Sequence, residues 1–575
     1  MFGSKNRRQY IELTAKKISW GHWFVFFNSL WLIIIGSRYA FLIDWPDTLL
    51  GKIYFFVSLV GHFSFIVFAF YLLLLFPLSF LIKNERTYRG ISVILATIGI
   101  SLMLVDTEVF ASFHLHLTSL VWNLVVNPEN GELARQWQLF FAPMPLILLA
   151  QMVYSRWSWQ KLRSLERQRW LKYVGIFYLV TFLAMHIMYA WADAVLYRPI
   201  TMQKSNFPLS YPMTARTFLQ RHGFLDKERL LAKAREQGRA DALKIDYPKH
   251  ALRFGNVQDT PNIIFINLTG WRKDSVTAAL MPNLSAYLPK ATQFDHHYST
   301  GNDEVTGLFG LFYGLLPEYI DSVSQQKVMP ILLTTLAKHH YQICRYYDEE
   351  NKVALRRMLF SANHYDKLGA YSCEQSRPDF QKNLFHSPYF VFMDMQIPAG
   401  LSQEAYQQQI RNFDTKLGNI FKDIDWKNTL VILTAASGYE FQHESDKVDN
   451  QFSRMRIEVP MYVFWKGLPA MKVETLTSNL DVVPALMKHI FDVKNPASDY
   501  SQGQDLFNLK KNRDWVQSGD QKWNVIITPD DVQYHLNRKG DYEKFDAQGD
   551  PVSSSRPPLG LFLDVYKRAG NFWAH

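Results

Sequence analysis

The front third of this chain limits its fold more than any other feature. Five long apolar stretches, roughly 20–42, 54–82, 91–112, 137–157 and 174–197, follow one another before residue 198. Each approaches the ~20 residues that a helix needs to cross hydrocarbon, with Trp137 and Trp157 counted as interfacial anchors of the fourth. The first is not read as a cleaved leader, because it is long and runs into the second with no small-residue cleavage pattern between them. The predicted organisation is a transmembrane domain over 1–197 with five helices, a connector over 198–258 and a soluble domain over 259–575.

Basic residues set the orientation. Lys5, Arg7, Arg8, Lys16, Lys17, Lys83, Arg86, Arg89, Arg156, Lys161, Arg163, Arg167, Arg169 and Lys172 fall on one side, against only Lys52 and Arg135 in the opposite short loops. The positive-inside rule places the N-terminus in the cytoplasm, and five crossings place everything after Tyr197 outside, in the periplasm of a bacterial inner membrane. The formal net charge is +10, from 62 Lys plus Arg against 52 Asp plus Glu. On a membrane-bound chain this excess suits anionic lipid, and no nucleic acid partner is expected. Of the ionisable residues in the apolar stretches, His22, Arg38, Asp106, Glu108, His186 and Asp193 lie mostly near segment ends, where snorkelling accounts for them. His62 lies deeper, beside Gly61, and is expected to pack between helices.

Residues 199–212, with Lys204, Pro208 and Pro212, read as extended chain leaving the membrane. A helical pattern starts at Thr214 and runs through Phe218 to Gly223, with a second over about 226–242. Here Arg198, Lys204, Arg216 and Arg221 interleave with Phe207, Tyr211, Met213 and Phe218. Such a mixture suits an acidic lipid head and its acyl chains, the alternative being a docking collar beneath a soluble domain.

Beyond residue 258 strands and helices alternate. Continuous apolar runs at 261–270, 341–346, 389–395, 429–434 and 461–464 read as strands buried between helix layers, with helical stretches such as 403–424 and 481–490 among them. The prediction is an α/β domain with a doubly wound, mostly parallel sheet. Segments 522–527 and 532–537 predict a small antiparallel sheet in a C-terminal subdomain from about residue 508. Two cysteines exclude a disulfide-dense scaffold. Cys344 ends one predicted strand and Cys373 lies where the neighbouring strand begins, which leaves a disulfide open in an oxidising compartment.

The run 261–270, then Met281-Pro-Asn-Leu284, Ser299-Thr-Gly-Asn302, Gly307-Leu-Phe-Gly-Leu-Phe-Tyr-Gly314, 428–434, Val459-Pro-Met461, Asp481-Val-Val-Pro484 and Tyr500-Ser-Gln-Gly503 resemble, in order, the landmarks of the alkaline phosphatase/sulfatase superfamily. With Trp20-Gly-His-Trp23, His62-Phe-Ser-Phe65, Phe113-His-Leu-His-Leu117 and Leu209-Ser-Tyr-Pro-Met-Thr-Ala-Arg216 ahead of them, the whole chain resembles the PbgA/YejM inner-membrane proteins of Gram-negative bacteria.

The resemblance implies a test. Active superfamily members hold one or two divalent metals on carboxylates and histidines, which activate a Ser, Thr or modified Cys nucleophile. This chain has Thr269 where an Asp precedes Gly, Asp303 near the nucleophilic Thr, Ala436 and Ser437 for an Asp-His pair, Arg454 near an expected His, and Asn479 for the His of a His-x-Asp. Hydroxyls and an alanine do not replace anionic ligands, and an arginine repels a dication. No catalytic residue, metal ligand or cofactor is therefore expected, and the soluble domain reads as a pseudoenzyme. Asp303 and Glu304 make a poor cage, fit at most for weak Mg²⁺, and are expected to pair with Arg454 or Arg456 instead. The rival reading is a residual metal-dependent phosphoryl or phosphoethanolamine transferase or hydrolase, with Asp303 as a retuned nucleophile. His296, His297 and His443 are expected to serve packing or the surface.

For function, the resemblance implies sensing of lipopolysaccharide at the periplasmic face and restraint of the LapB- and FtsH-dependent degradation of the LpxC deacetylase. The implied partners are lipid A and LapB, with cardiolipin binding or transport as the alternative. The expected lipid contact is Tyr211, Pro212, Met213, Thr214, Ala215, Arg216, Thr217 and Phe218. A second basic residue is expected beside Arg216, and Thr217 stands there instead.

Overall fold

The computed structural model describes residues 2–43, 45–113, 116–117, 142–166, 170–195, 197–215, 218–219, 222, 244–257, 260–347, 372–375, 388–441, 450–508, 513–537, 542–552 and 559–573. The chain divides into two compact units. One is Met1–Lys244 with Pro558–Tyr566 and Ala574–His575, the other Ile245–Pro557 with Lys567–Trp573.

The first unit is built on helices α1 (Phe2–Gly36), α2 (Leu49–Phe70), α3 (Glu85–Phe113), α4 (Met144–Gln160) and α5 (Trp170–Val195). The Thr48 hydroxyl caps α2 by accepting from the Gly51 N–H. Helix α2 continues through a π-turn, Tyr71–Leu75, into Phe76–Leu81. Pro77 lies just past that turn, and widening there relieves the clash its ring makes with the preceding carbonyls. Four helices among the described residues are long and apolar enough to cross a membrane: Arg7–Phe41, Leu49–Leu81, Glu85–Ala111 and Trp170–Val195. This corrects the expected five. The stretch expected at 137–157 gives α4, whose 17 residues span about 25 Å at ~1.5 Å per residue, short of a hydrocarbon core of ~30 Å. Its expected anchor, Trp137, lies outside the described residues.

Helix α2 packs against α1 and α5, and α3 against α1 and α4. Gly61 permits the α2–α5 approach, since a Cβ there would stand 2.8 Å from the Thr181 carbonyl oxygen. Polar pairs tie the inner faces: Gln151 Nε2 donates to Asn28 Oδ1 (2.7 Å) and Trp20 Nε1 to Ser158 Oγ (2.9 Å). Arg38 and Asp106 do not simply snorkel. Arg38 is bonded to Glu108 and to the Thr107 hydroxyl (2.9 Å), and buried Asp106 accepts from Tyr39 and from the Leu117 N–H.

The second unit is an α/β domain. Its strands are β1 (Asn262–Thr269), β2 (Thr292–Phe294), β3 (His297–Tyr298), β4 (Gln342–Tyr347), β5 (Ser372–Gln375), β6 (Tyr389–Gln396), β7 (Thr429–Thr434), β8 (Met461–Phe464), β9 (Met471–Val473), β10 (Thr477–Ser478), β11 (Val516–Gly519), β12 (Trp523–Ile527), β13 (Gln533–Asn537) and β14 (Tyr542–Phe545). The main sheet runs β5-β4-β6-β1-β7-β8-β2-β9. It is mixed: β5 through β7 are parallel neighbours, and β8 is antiparallel to both β7 and β2.

The continuous apolar run of β1 has a physical reason. Ile263 and Phe265 enter one core with Leu308 and Phe312 of helix α6 (Glu304–Tyr313), while Ile264, Ile266 and Leu268 enter another with Ile410 and Leu417 of α7 (Gln403–Asp423). Both faces of the sheet are thus covered. Strands β11 to β14 form a separate antiparallel sheet, and β3 pairs with β10. Cys344 on β4 stands directly across from Cys373 on β5 in the register, and Cys344 is engaged in a disulfide. Neighbouring strands lie ~4.8 Å apart, inside the Cα range of a disulfide.

Candidate functional site

The residues that differ from the superfamily pattern do come together, at the C-terminal ends of β1 and β7. Asn267, on β1, organises them. Its Nδ2 donates to Thr269 Oγ1 (3.1 Å) and Asp394 Oδ1 (3.0 Å), and its Oδ1 accepts from the Ala436 N–H (2.6 Å). The Ser437 carbonyl accepts from Gly270 N (2.8 Å), and the Arg456 carbonyl from Gly438 N (2.7 Å). Helix α6 presses on this loop backbone to backbone, for a Cβ on Gly307 would lie 1.8 Å from the Ala436 oxygen.

Asn479 Oδ1 accepts from His297 Nε2 (2.8 Å), while His297 Nδ1 faces the Thr477 hydroxyl (2.9 Å). Burial pushes this imidazole down to about 4. His296, just before β3, is partly exposed and lies 4.0 Å from Glu458.

Among the described residues Asp303 pairs with neither Arg454 nor Arg456. Its Oδ1 accepts from the Thr306 N–H (2.8 Å) in a capping box at the start of α6. Arg454 pairs instead with Glu458 and with Asp531 (3.0 Å), and Arg456 with Glu440 (2.6 Å). This corrects the expected pairing with Asp303: a carboxylate that starts a helix already has its donor. Burial alone would raise the Glu458 carboxyl, but its bonds to Arg454 and to Lys273 (2.7 Å) hold it below the ordinary range. Sequence reasoning missed Glu458, although its spacing of four from Arg454 on a short helix was a signal. It missed Arg513 as well, whose guanidinium is buried against Asp481.

These residues do not fit the superfamily's metals. Thr269, Ala436 and Ser437 offer no anionic donor, Asn479 is bonded to His297, and two arginines add positive charge beside them. Among the described residues no group of three His, Cys, Asp or Glu side chains converges as a metal site. His443 lies outside the described residues.

A second arrangement lies in the helical unit, where the chain leaves α5. Residues 205–215 form a strap. Phe207 is buried among the rings of Tyr39, Phe55, His62 and Phe63. Three histidines from separate places hold the strap backbone: His62 Nε2 donates to the Pro208 carbonyl (2.8 Å), His116 Nε2 to the Ser205 carbonyl (2.9 Å), and the Met213 N–H donates to His186 Nδ1 (3.1 Å). His116 is in turn fixed through Nδ1 on Asp106 (2.8 Å). His62 packs between helices as expected, and its bond to the strap had no signal in the sequence.

Past Phe207 the side chains are left outside. Leu209, Tyr211 and Met213 are 73%, 77% and 63% exposed. Leu209 takes a left-handed conformation, φ +56°, that reverses the chain at the cost of some strain. Of the expected lipid contacts, Tyr211, Pro212, Met213, Thr214, Ala215 and Phe218 are described, whereas Arg216 and Thr217 lie outside the described residues. Of the helix expected over 214–223, the described residues carry two helical hydrogen bonds, Leu219 N to Ala215 O (2.9 Å) and His222 N to Phe218 O (3.2 Å). The second expected helix, over 226–242, lies outside the described residues.

Comparison with known proteins follows the same division. Residues 6–254 match a domain of unknown function, DUF3413, and residues 360–493 match the Sulfatase family. An uncharacterized protein of Haemophilus influenzae is 50% identical over 579 residues, covering 99% of each chain. Among solved structures, an alkaline phosphatase superfamily protein of Vibrio parahaemolyticus aligns with a TM-score of 0.42 at 15% identity, covering 61% of this chain and 98% of its own. The inner membrane protein YejM of Salmonella typhimurium is 38% identical over 593 residues, covering 99% of this chain and 100% of its own. With that identity sustained from end to end, across the helical unit and the sulfatase-like domain alike, the chain belongs to the YejM family of inner membrane proteins.

Proposed function

We propose that this protein is a non-catalytic sensor of lipid A that regulates lipopolysaccharide synthesis by restraining LapB- and FtsH-dependent degradation of LpxC. The observation that carries this reading is the strap. Leu209, Tyr211, Met213 and Phe218 expose apolar surface just past the end of a membrane-spanning helix, and Arg216 follows in the same run of sequence. Lipid A presents acyl chains and phosphates together, and a guanidinium meets phosphate through paired charge-assisted bonds. The absence of catalysis is supported by the chemistry of Thr269, Ala436, Ser437, Arg454 and Asn479, which supply no metal ligand set. A periplasmic soluble unit, with the N-terminus cytoplasmic, is supported by the basic-residue asymmetry and by the disulfide-engaged Cys344; it requires an odd number of crossings, so the α4 segment, extended by the residues ahead of it, must cross along with the four long helices.

The test is a lipid A titration. Arg216→Ala should weaken binding by about 1.5–3 kcal/mol, the worth of a hydrogen bond to a charged group, and should alter LpxC abundance. Thr217→Arg should tighten it. Unchanged binding and regulation in Arg216→Ala would reduce the connector to a collar. Lipid and metal analysis of the purified protein separates the rivals: bound cardiolipin favours a carrier, and stoichiometric zinc or manganese revives the transferase.

A further inference from the structure

We propose that the strap is a pH-sensitive latch that opens at Met213 when His186 takes up a proton. The inference comes from the direction of three hydrogen bonds. The carbonyls of Pro208 and Ser205 only accept, so His62 Nε2 and His116 Nε2 both donate. A donating ring nitrogen keeps its proton whether the ring is neutral or charged, so these two ties survive acidification. The third bond runs the other way. The Met213 N–H only donates, so His186 Nδ1 holds a lone pair and the ring is neutral with its proton on Nε2. A proton on Nδ1 would turn the acceptor into a donor facing a donor, and the bond would be lost.

The groups around His186 do not offset that loss. Its own helix presents the Phe182 ring edge-on at 4.6 Å. Helix α2 presents His62, on which His186 and His116 both act as like charges when protonated. The strap itself carries Tyr211, and α5 carries Asp193 about two turns further on.

The three ties are also unequally placed. Ser205, Phe207 and Pro208 anchor one end, in part by burial of the Phe207 ring. Leu209, at φ +56°, then turns the chain, so only the stretch from Leu209 to Ala215 is freed. That stretch carries the exposed apolar side chains. Resting on the lipid A reading, the latch would make the contact stronger at neutral pH and weaker in acid, because a strap that must first be re-ordered binds only in proportion to its closed fraction.

The experiment uses the full chain in nanodiscs of phosphatidylethanolamine and phosphatidylglycerol, without lipid A. Amide hydrogen exchange is followed over 209–215 at pH 7.5 and 5.5 and corrected for the intrinsic pH dependence. Protection should fall about fivefold or more in the parent across this span, where imidazoles take up a proton. His186→Asn, whose side-chain oxygen accepts and does not titrate, should keep the neutral-pH protection at both values. Residues 202–208, held by donors, should stay protected throughout and serve as the check that the unit is folded. Equal protection of 209–215 at both pH values in the parent, or the same fall in His186→Asn, would overturn the latch. Lipid A titration on the same samples is read separately: a pH-dependent latch with no lipid A binding sinks the lipid reading and leaves the latch standing.

Discussion

The residues clustered at the ends of β1 and β7 and the strap after α5 use polar groups in opposite ways. In the cluster, side chains where the superfamily places its chemistry now bond to the protein itself. Asn479 holds His297, Asp303 starts a helix, and Arg454 and Arg456 are paired with acids. In the strap, the backbone is what the protein holds, and the side chains of Leu209, Tyr211 and Met213 are left over. In one place polar side chains are spent on bonds within the protein, and in the other apolar side chains stand exposed while the backbone is held.

The contrast makes measurable claims. The largest concerns Asp481 and Arg513, both buried. Arg513→Ala leaves a carboxylate uncompensated and should cost about 3–5 kcal/mol in urea or thermal unfolding, while Tyr211→Ala and Met213→Ala should each stay within about 0.5 kcal/mol. Similar losses at the two places would break the comparison.

A smaller effect should appear with pH. His297 is held down at about 4 in the folded domain, against ~6.5 in an unfolded chain. The unfolded state therefore takes up the proton first. Stability is complete above about pH 6.5 and declines by about 3 kcal/mol as pH falls toward 4. Glu458, held below its usual range, adds a further loss once pH falls through the carboxylate region. Unfolding measured from pH 7.5 to 4.5 should show the decline, and His297→Gln should flatten its upper part. A parent with constant stability over that range would show the imidazole not to be buried as described.

Smallest is the Asp303 cap. Asp303→Ala should cost about 1 kcal/mol through the start of α6, with regulation intact at normal abundance. Loss of regulation without loss of protein would return chemistry to the cluster and sharpen the question of its ligand.

What the sequence made legible tracks burial and length. Strands β7 and β8 fall at the residues expected, because strands covered on both faces write continuous apolar runs. Strands β2, β3, β9 and β10 have two or three residues each, too few to write any periodicity into the sequence. The sequence around α4 reaches spanning length only with Trp137 and Trp157 counted as anchors, and Trp137 lies outside the described residues. The identities of the altered cluster residues were plain, but their partners were not. Arg513 lies 32 positions from Asp481, and no local pattern announces such a pair. The strap's exposed aromatics were legible as an amphipathic mixture. Its three histidine ties were not, since they come from α2, the chain after α3, and α5.

Strand β1 lies at the middle of the main sheet, yet it leaves the ribosome before every other strand. Its neighbours are β6, beginning at Tyr389, and β7, beginning at Thr429. Until Gln396 has been made, the nascent chain carries an apolar strand with both edges open, and until Thr434 one edge stays open, the kind of segment that captures other chains or a chaperone. A ribosome stalled between residues 270 and 429 would release a fragment already anchored by its helices and unable to close its sheet. Membrane quality control must clear such fragments, and a nonsense variant in that interval should burden the cell more than one placed ahead of β1.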